Sequence, residues 1–272
     1  MTMIDPTARV ADGAVIAKDV FVGPYCVIGP DVSIAEGCRL TAHVHVTGHT
    51  SIGPRTRIAP FASLGTPPQS ARYRGGPTRL VIGADCDIRE HVTMNTGTED
   101  DRGVTEVGDK CFLMVNTHVG HDCKVGNNVI MANNAVLGGH VLVEDFVFIG
   151  GNSAIHQFVR IGESVMISGV AGVAADIIPF GFAIGQRAVL DGLNVVGLRR
   201  RGVSRTDIHN LRQAYRALFH VRGVFKERVE AVSRAFGEDP LVAKVLQFIR
   251  DGGSRPLMKP DSAGLESEPA TV

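Results

Sequence analysis

Six side chains between residues 118 and 157 have the chemistry of a proton-transfer site. They are His118, His121, Asp122, His140, His156 and Gln157. A neutral imidazole accepts a proton near pH 7, and an adjacent carboxylate orients the ring and stabilises its charged form. His121 and Asp122 are neighbours and therefore form the candidate base, while Gly139 could offer a backbone N–H to a developing oxyanion.

A six-residue repeat explains how these distant residues could meet. An aliphatic residue begins each repeat from Ile4 to Leu64 and again from Val107 to Val173, and the fifth residue of the repeat is often small or β-branched. Hexapeptide repeats are typical of a parallel β-helix, in which three short strands form one triangular coil of about eighteen residues. We therefore predict a mainly β fold.

Residues eighteen positions apart should stack in successive coils, about 4.8 Å apart. His121 then lies next to Gly139, with Gln157 one coil further along the axis. Asp122 lies next to His140 in the same way. The repeat thus predicts that the candidate base, the oxyanion donor and the flanking polar groups share one edge of the β-helix.

Two other sets of residues are predicted to be structural. One is a ladder of turn asparagines, Asn116, Asn134 and Asn152. The other contains the five cysteines, which all occupy the inward-facing fifth position: Cys26, Cys38, Cys86, Cys111 and Cys123. Because a disulfide framework or a zinc cluster would not follow this register, we predict reduced cysteines in the core and no cysteine nucleophile.

The register fails at two places, which predicts two loops ejected from the coil. Residues 66–79 are rich in Pro, Gly and Arg, and residues 95–106 contain seven residues more than the repeat needs. In repeat proteins, insertions often build the binding face. We therefore expect both loops to contribute to the site.

Helical spacing replaces the six-residue period after the last repeat. Ser204 and Asp207 resemble a capping box and predict the start of an amphipathic helix, which two more helices should follow. The sequence is therefore divided into a β-helix over residues 1–186, an α-helical domain over 187–258 and a disordered polar tail over 259–272.

Charge and hydropathy exclude several classes of protein. With 28 basic and 28 acidic residues, the formal net charge of zero argues against a whole-molecule binder of nucleic acid or membrane. No apolar run reaches the roughly eighteen residues of an integral membrane segment, and the N-terminus lacks a signal-peptide layout, so we expect a cytoplasmic protein. The basic stretch over residues 187–228 nevertheless predicts an anionic partner: a phosphate, a nucleic acid or an acidic protein.

Three motifs at the predicted edge resemble those of bacterial UDP-N-acetylglucosamine O-acyltransferases, which open lipid A biosynthesis. The motifs are Asn116-Thr-His-Val-Gly-His121-Asp122-Cys123, Gly138-Gly139-His140 and His156-Gln157-Phe158. Similarity to the family also includes Pro77-Thr78-Arg79, Ile88-Arg89-Glu90 and Gly197-Leu-Arg-Arg-Arg-Gly202. The resemblance implies a left-handed β-helix, an exception to the usual right-handed crossover, and a homotrimer with active sites between subunits.

The same resemblance implies roles for individual residues. His121 would be the general base, Asp122 its partner and the Gly139 amide the oxyanion donor. Gly169 would close the far end of an acyl groove and, being small, favour long acyl chains. The residues expected to line the sugar-nucleotide site are Gln69, Arg72, His118, His140, His156, Gln157, Asn194, Arg200 and Arg201.

The expected reaction is transfer of a (3R)-hydroxyacyl group from acyl carrier protein to the 3-hydroxyl of UDP-N-acetylglucosamine. Acyl carrier proteins are acidic as a family, so the basic stretch should dock the donor through Arg212 and Arg216. The carrier brings its own phosphopantetheine, and we expect the enzyme to need no cofactor and no metal.

Three alternatives stay open. The sequence departs from the family pattern at Ser70, Asn95-Thr96 and Val196, so the acceptor could be the 3-amino analogue of the sugar, which would give an amide. A carbonic anhydrase of the hexapeptide fold would use three histidines to bind zinc. A non-enzymatic solenoid could present its basic helical domain to nucleic acid, although this hypothesis leaves the histidine cluster unexplained.

Overall fold

The computed structural model describes residues 1–261 of the 272-residue chain. Its main part is built from very short strands, most of them two residues long. In chain order they are β1 (Met3–Ile4), β2 (Arg9–Val10), β3 (Val15–Ile16), β4 (Phe21–Val22), β5 (Val27–Ile28), β6 (Ser33–Ile34), β7 (Arg39–Leu40), β8 (His45–Val46), β9 (His49–Ile52), β10 (Arg57–Ile58), β11 (Ser63–Thr66), β12 (Arg79–Ile82), β13 (Asp87–Ile88), β14 (Thr93–Asn95), β15 (Val104–Val107), β16 (Phe112–Leu113), β17 (His118–Val119), β18 (Lys124–Val125), β19 (Ile130–Met131), β20 (Val136–Leu137), β21 (Leu142–Val143), β22 (Phe148–Ile149), β23 (Ala154–Ile155), β24 (Arg160–Ile161), β25 (Met166–Ile167) and β26 (Gly172–Val173).

Every third strand belongs to the same sheet, so the chain winds around a triangular prism of three parallel sheets. The first sheet begins with β1, the second with β2 and the third with β3. Partners in a regular coil are eighteen positions apart, as in the pairing of His118 with Val136. The fold is the predicted left-handed parallel β-helix.

Two loops leave the coil where the sequence register fails. Asp87 pairs with Phe112, 25 positions further along instead of eighteen, so the second loop adds the seven residues that the sequence indicated. Strands extend into both predicted ranges, and the loops themselves cover residues 67–78 and 96–103. We refer to these as the first and second loops.

The prism is filled by the aliphatic residues that begin each repeat. Val22, Leu40 and Ile58 have no solvent exposure. All five cysteines are buried with free thiols, as predicted from their register. Burial raises the pKa of the Cys123 thiol to about 12, so this thiol stays protonated at neutral pH.

The corners of the prism require left-handed backbone, with φ of 61° at Asn116, 58° at Asp122 and 63° at His140. Asn, Asp and His adopt this conformation more readily than most residues. The asparagines form the predicted ladder: Nδ2 of Asn116 donates to Asn134 (2.9 Å), and Nδ2 of Asn134 donates to Asn152 (3.0 Å). Their role is therefore structural.

We name the three corners of the prism in the coils that follow the second loop. The histidine corner, between the second and third sheets, contains residues 120–123, 138–141 and 156–159. The asparagine corner, between the first and second sheets, contains residues 114–117, 132–135, 150–153 and 168–171. The third corner, between the third and first sheets, contains residues 144–147 and 162–165.

A hairpin and four helices follow the coil. The strands of the hairpin, β27 (Gly181–Ile184) and β28 (Val189–Leu193), extend the first sheet. The helices are α1 (Val195–Arg200), α2 (Arg205–Phe219), α3 (Phe225–Phe236) and α4 (Pro240–Asp251). The predicted cap of α2 is present, because the Ser204 hydroxyl accepts from the N–H of Asp207 (3.0 Å). Sequence reasoning missed the hairpin and α1, which lack both repeat and long helical spacing.

After α4 the chain returns to the β-helix through residues that the sequence assigned to the helical domain, and Lys259, the first residue of the predicted disordered tail, also contacts the β-helix. Leu257 forms a parallel bridge with Asp176, and the carbonyl of Lys259 accepts from the N–H of Leu190 (3.0 Å). We call residues 252–259 the returning segment. The rest of the predicted tail, residues 262–272, lies outside the described residues. Among the helices of residues 1–261, none combines the length and the apolar character that a membrane span requires.

Candidate active site

His121 and Asp122 form a buried hydrogen-bonded pair at the histidine corner. Nδ1 of His121 lies 2.9 Å from Oδ2 of Asp122. Asp122 has no solvent exposure, and His121 has 9 %. Because the carboxylate accepts, Nδ1 of the neutral ring must donate, which leaves the lone pair on Nε2. This tautomer can accept a proton from a bound substrate.

The second loop and strand β15 supply the remaining partners of Asp122. The backbone N–H of Thr98 donates to Oδ1 (2.9 Å), and the Thr98 hydroxyl donates to Oδ2 (2.7 Å). The N–H of Asp122 itself donates to the Thr105 hydroxyl (2.9 Å). These bonds compensate the buried charge and fix the carboxylate. Sequence reasoning predicted a role for the loop but did not identify either threonine.

Gly139 lies directly against the ring of His121. A Cβ added at residue 139 would be 2.5 Å from Cε1 and 2.6 Å from Nε2 of His121, so only glycine fits there. Within residues 1–261, the N–H of Gly139 has no hydrogen-bond partner. A free backbone donor next to a proton acceptor is an arrangement that can stabilise an oxyanion formed beside the base.

His140 is fixed from three sides. Its Nδ1 is 2.5 Å from Oδ2 of Asp101, a residue of the second loop that the sequence did not single out. Its ring stacks on Phe158 with centroids 4.3 Å apart, and it meets His121 edge-on at 4.8 Å. The structure therefore brings His140 to the predicted pair, as the eighteen-residue stacking required.

His118 and His156 flank the pair on different levels. Nδ1 of His118 is 2.8 Å from the Thr93 hydroxyl, and burial together with the nearby His121 lowers the pKa of His118. His156 and Gln157 are exposed one coil above Gly139. Nη2 of Arg255 lies 2.6 Å from Nδ1 of His156, a contact that no sequence pattern indicated.

Three other residues predicted to bind the sugar nucleotide lie at a different corner of the prism from His121 of the same chain. The side chain of Asn194 caps α1 by accepting from Gly197 (2.9 Å) and donates to Ser164 at the third corner (2.9 Å). Arg201 forms an ion pair with Glu163 (3.0 Å) at the same corner. Arg200 is exposed next to it.

Gln69 and Arg72 are exposed in the first loop. The two loops contact each other, since the Glu99 carboxylate accepts from the N–H of Gly76 (2.6 Å). The first loop is therefore hydrogen-bonded to the second loop, and the second loop in turn donates hydrogen bonds to Asp122 through Thr98.

Gly169 lies at the asparagine corner, not at the histidine corner. An added Cβ would be 3.3 Å from the carbonyl oxygen of Gly151, and the backbone of Gly169 is outside the left-handed region. The backbone conformation at residue 169 therefore does not require glycine. Arg212 and Arg216 are exposed on α2, where they line a cavity of about 850 Å³.

The ligand atoms of His121, Asp122 and His140 all lie within 4.8 Å of one another, which is close enough to hold a metal ion. The hydrogen bonds of these residues favour proton transfer over metal binding. Both oxygens of Asp122 already accept from Thr98, and Nδ1 of His121 faces the carboxylate. This is the arrangement of an oriented base, and it differs from the three-histidine set of a zinc carbonic anhydrase.

Comparison with known proteins identifies both parts of the chain. Residues 13–48 and 105–139 match the bacterial transferase hexapeptide repeat, and residues 176–258 match the second domain of UDP-N-acetylglucosamine O-acyltransferase. An acyl-(acyl-carrier-protein)–UDP-N-acetylglucosamine O-acyltransferase from Azorhizobium caulinodans is 58% identical over 98% of this chain and 99% of its own length. The Bartonella quintana enzyme of the same name is 47% identical over 93% of both chains.

Solved structures agree with these relatives. The crystal structure of UDP-N-acetylglucosamine acyltransferase from Francisella novicida superposes with a TM-score of 0.94 at 31% identity, covering 99% of both chains. Similarity of this extent, over the β-helix and the helical domain alike, shows that the chain belongs to the UDP-N-acetylglucosamine O-acyltransferase family.

Proposed function

We propose that the protein transfers a (3R)-hydroxyacyl group from acyl carrier protein to the 3-hydroxyl of UDP-N-acetylglucosamine, in lipid A biosynthesis in the cytoplasm. The observation that carries the mechanism is the contact series Asp122–His121–Gly139. It combines an oriented base with a backbone donor within one buried corner.

In the proposed reaction, Nε2 of His121 removes the proton of the sugar 3-hydroxyl as its oxygen attacks the thioester carbonyl. The Gly139 N–H donates to the resulting oxyanion. Collapse of the tetrahedral intermediate breaks the C–S bond, and the leaving phosphopantetheine thiolate takes the proton from His121. No covalent acyl-enzyme forms, and the step needs neither a cofactor nor a metal.

A homotrimer is supported by two faces of the prism. Partly exposed apolar residues form one outward column on the first sheet: Phe112, Ile130, Phe148, Met166 and Phe182. The outward column of the second sheet has small residues at the same levels: Val136, Ala154 and Gly172. Contact between a bulky face of one protomer and a small face of the next is heterologous and can close into a ring.

The trimer would also complete the sugar-nucleotide site. Asn194, Arg200 and Arg201 are at the third corner, remote from His121 in their own chain. In the proposed site they approach His121 of a neighbouring protomer, together with the two loops. The guanidinium groups would bind the diphosphate, for which Arg is well suited.

The acceptor sugar has one alternative, the 3-amino analogue. The departures at Ser70, Asn95-Thr96 and Val196 support it, and Asn95 is buried near the second loop with its Oδ1 unpaired within residues 1–261. An amine acceptor would use the same base and the same oxyanion donor. Parallel assays with both sugar nucleotides decide between ester and amide products.

The test of the mechanism is His121→Ala assayed with purified acyl carrier thioesters. Loss of a general base typically costs about 10²–10⁴-fold in rate. We expect a folded variant with kcat reduced by this amount. A folded His121→Ala protein that retained most of the wild-type rate would contradict the proposed role.

A further inference from the structure

Arg255 contacts the active-site edge although it is 99 positions away from His156 in sequence. Its Nη2 donates to Nδ1 of His156 (2.6 Å), and its Nε donates to the carbonyl oxygen of Gln157 (2.8 Å). One guanidinium therefore bridges a side chain and the backbone of the same turn. Both partners belong to the predicted sugar-nucleotide site.

The returning segment holds Arg255 in this position. The N–H of Asp176 donates to the carbonyl of Pro256 (2.8 Å), and the N–H of Met258 donates to the carbonyl of Asp176 (2.7 Å). On the other side of the arginine, Gly253 packs so closely that an added Cβ would be 2.4 Å from Oδ2 of Asp176. The segment is thus anchored on both sides of Arg255.

This contact decides which nitrogen of His156 carries the proton. A guanidinium offers only N–H donors and remains charged, so Nδ1 of His156 must accept with its lone pair. The neutral ring then carries its proton on Nε2. Without the arginine, the partner of Nδ1 would be the carbonyl of Gln157, which is 3.3 Å away and would favour the opposite tautomer.

We propose that Arg255 is a positioning residue that holds exposed His156 as an Nε2–H donor for the sugar nucleotide. The oxygens of a diphosphate only accept hydrogen bonds, so an Nε2–H binds them whereas a bare Nε2 repels them. The inference rests on the proposed role of His156 in substrate binding. Because His121 is the base, Arg255 acts on the affinity for the sugar nucleotide and not on the chemical step.

The experiment compares Arg255→Gln, Arg255→Lys and the control Arg250→Gln in the full-length protein. Arg250 lies on α4 and donates to the Ser233 hydroxyl (2.8 Å), away from His156. Imidazole ¹⁵N shifts, assigned by the resonance lost in His156→Gln, report the tautomer in the absence of substrate. Steady-state kinetics then give KM for UDP-N-acetylglucosamine and kcat.

We expect the Nε2–H tautomer in wild type, Arg255→Lys and Arg250→Gln, and the Nδ1–H tautomer in Arg255→Gln. KM for the sugar nucleotide should rise about tenfold in Arg255→Gln, the size expected for a lost charged hydrogen bond, while kcat stays within about twofold of wild type. Arg255→Met, whose side chain has no N–H to donate to Nδ1, repeats the test without the donor that the glutamine amide retains, and it replaces Arg255→Gln if that variant does not fold.

An unchanged His156 tautomer in the folded variant would overturn the proposal. A changed tautomer with unchanged KM would overturn the link to the sugar nucleotide. A fall in kcat and thermal stability without a tautomer change would identify Arg255 as structural and also contradict the proposal. The tautomer of His156 is measured in the enzyme without substrate and does not depend on acyl transfer. Assays of wild type and Arg250→Gln test acyl transfer separately, so a failure of the Arg255 proposal is distinguishable from a failure of the proposed function.

Discussion

The imidazole of His121 occupies the space that a side chain at residue 139 would need. An added Cβ at Gly139 would lie 2.6 Å from Nε2, the nitrogen expected to take the substrate proton. Glycine therefore serves two purposes at this position, since it makes room for the base and exposes a backbone N–H beside it.

Gly139→Ala tests this relationship. The methyl group should displace the ring and the N–H from each other, so we expect kcat to fall by about 10²-fold or more, in the range of a lost oxyanion donor. The control is Gly151→Ala, at the same repeat position two strands later, where the nearest atom to an added Cβ is the carbonyl oxygen of Asn133 at 3.2 Å. Equal activity in the two alanine variants would contradict the assignment of Gly139.

Thr98 provides a second test, because its hydroxyl donates to Oδ2 of Asp122 (2.7 Å). Thr98→Val keeps the shape of the side chain but removes the donor, so the carboxylate should orient His121 less well. We expect kcat to fall about tenfold, equivalent to roughly 1.4 kcal/mol, as for one lost hydrogen bond to a charged group. KM for both substrates should change little.

The chain offers a matched control for this substitution. Thr117 is also buried, and its hydroxyl has no partner within residues 1–261. Replacing an unsatisfied buried hydroxyl by a methyl group is neutral or stabilising. Thr117→Val should therefore keep wild-type kcat and an equal or higher melting temperature. A similar loss of kcat in both valine variants would show that the Thr98 hydroxyl has no special role.

The sequence predicted which residues of successive coils stack at the site, but it did not predict the second-loop residues that hold them in place. A constant period of eighteen residues fixes which side chains are neighbours, and His121, Gly139 and His140 meet accordingly. Thr98 and Asp101 belong to a loop without periodicity, so no pattern indicated that the loop folds back onto Asp122 and His140. Such contacts depend on tertiary geometry.

Arg255 was equally inaccessible to sequence reasoning. It follows the last helix in a short segment just before the predicted disordered tail, and its partners are about one hundred positions away. The hairpin before α1 was missed for a related reason, since short irregular elements lack a period that identifies them.

The lowered pKa of His118 predicts a pH effect on stability. Burial, reinforced by the neighbouring His121, keeps His118 neutral in the folded protein. The unfolded chain takes up a proton as the pH falls below about 6.5. The unfolded state therefore binds more protons, and the free energy of unfolding decreases as the pH falls through this region.

His118→Asn should flatten this dependence. Urea unfolding at about pH 7.5 and about pH 5.5 measures the difference in unfolding free energy, which we expect to be smaller in the variant than in wild type. His45→Asn is the control, because His45 is exposed on the same outward column of the second sheet. A variant at residue 118 with the full wild-type pH dependence would show that His118 does not contribute.

Arg212 and Arg216 should contribute to docking of the acidic donor protein. Both are exposed on α2 beside the cavity that Tyr215 and His220 also line. Charge reversal by Arg212→Glu or Arg216→Glu should raise KM for the acyl carrier donor about tenfold at low salt, and added salt should raise the wild-type KM. KM for the sugar nucleotide should stay unchanged.

Arg234→Glu is the control for this docking prediction, because it makes the same change of charge at a different exposed arginine. Arg234 is exposed on α3, outside the cavity lined by Arg212. We expect its donor KM to remain close to the wild-type value. If all three reversals raise KM equally, the effect is one of total charge and no docking site is defined.

If Gly169 limits the acyl chain, as predicted, the chain has to extend from the histidine corner to the asparagine corner of the prism. Gly169 is 48 positions beyond His121, or about 2.7 coils, which corresponds to a rise of roughly 13 Å at about 4.8 Å per coil. The asparagine corner and the histidine corner are separated by the second sheet. In this prediction a chain passing between them would run along the second sheet, beside the small residues Ala154 and Gly172.

Gly169→Met should shorten the acyl chain that the enzyme prefers. Residue 169 is exposed, its backbone does not require glycine, and a Cβ there would be 3.3 Å from the Gly151 carbonyl, so a side chain can be accommodated with a small shift. A methionine would then project into the groove and reduce kcat/KM for long hydroxyacyl donors by about tenfold or more, as expected for steric exclusion of one or two methylenes. Competition between donors of different length measures this preference directly, and the melting temperature confirms that the variant is folded. A folded Gly169→Met enzyme with the wild-type length preference would show that the groove ends elsewhere.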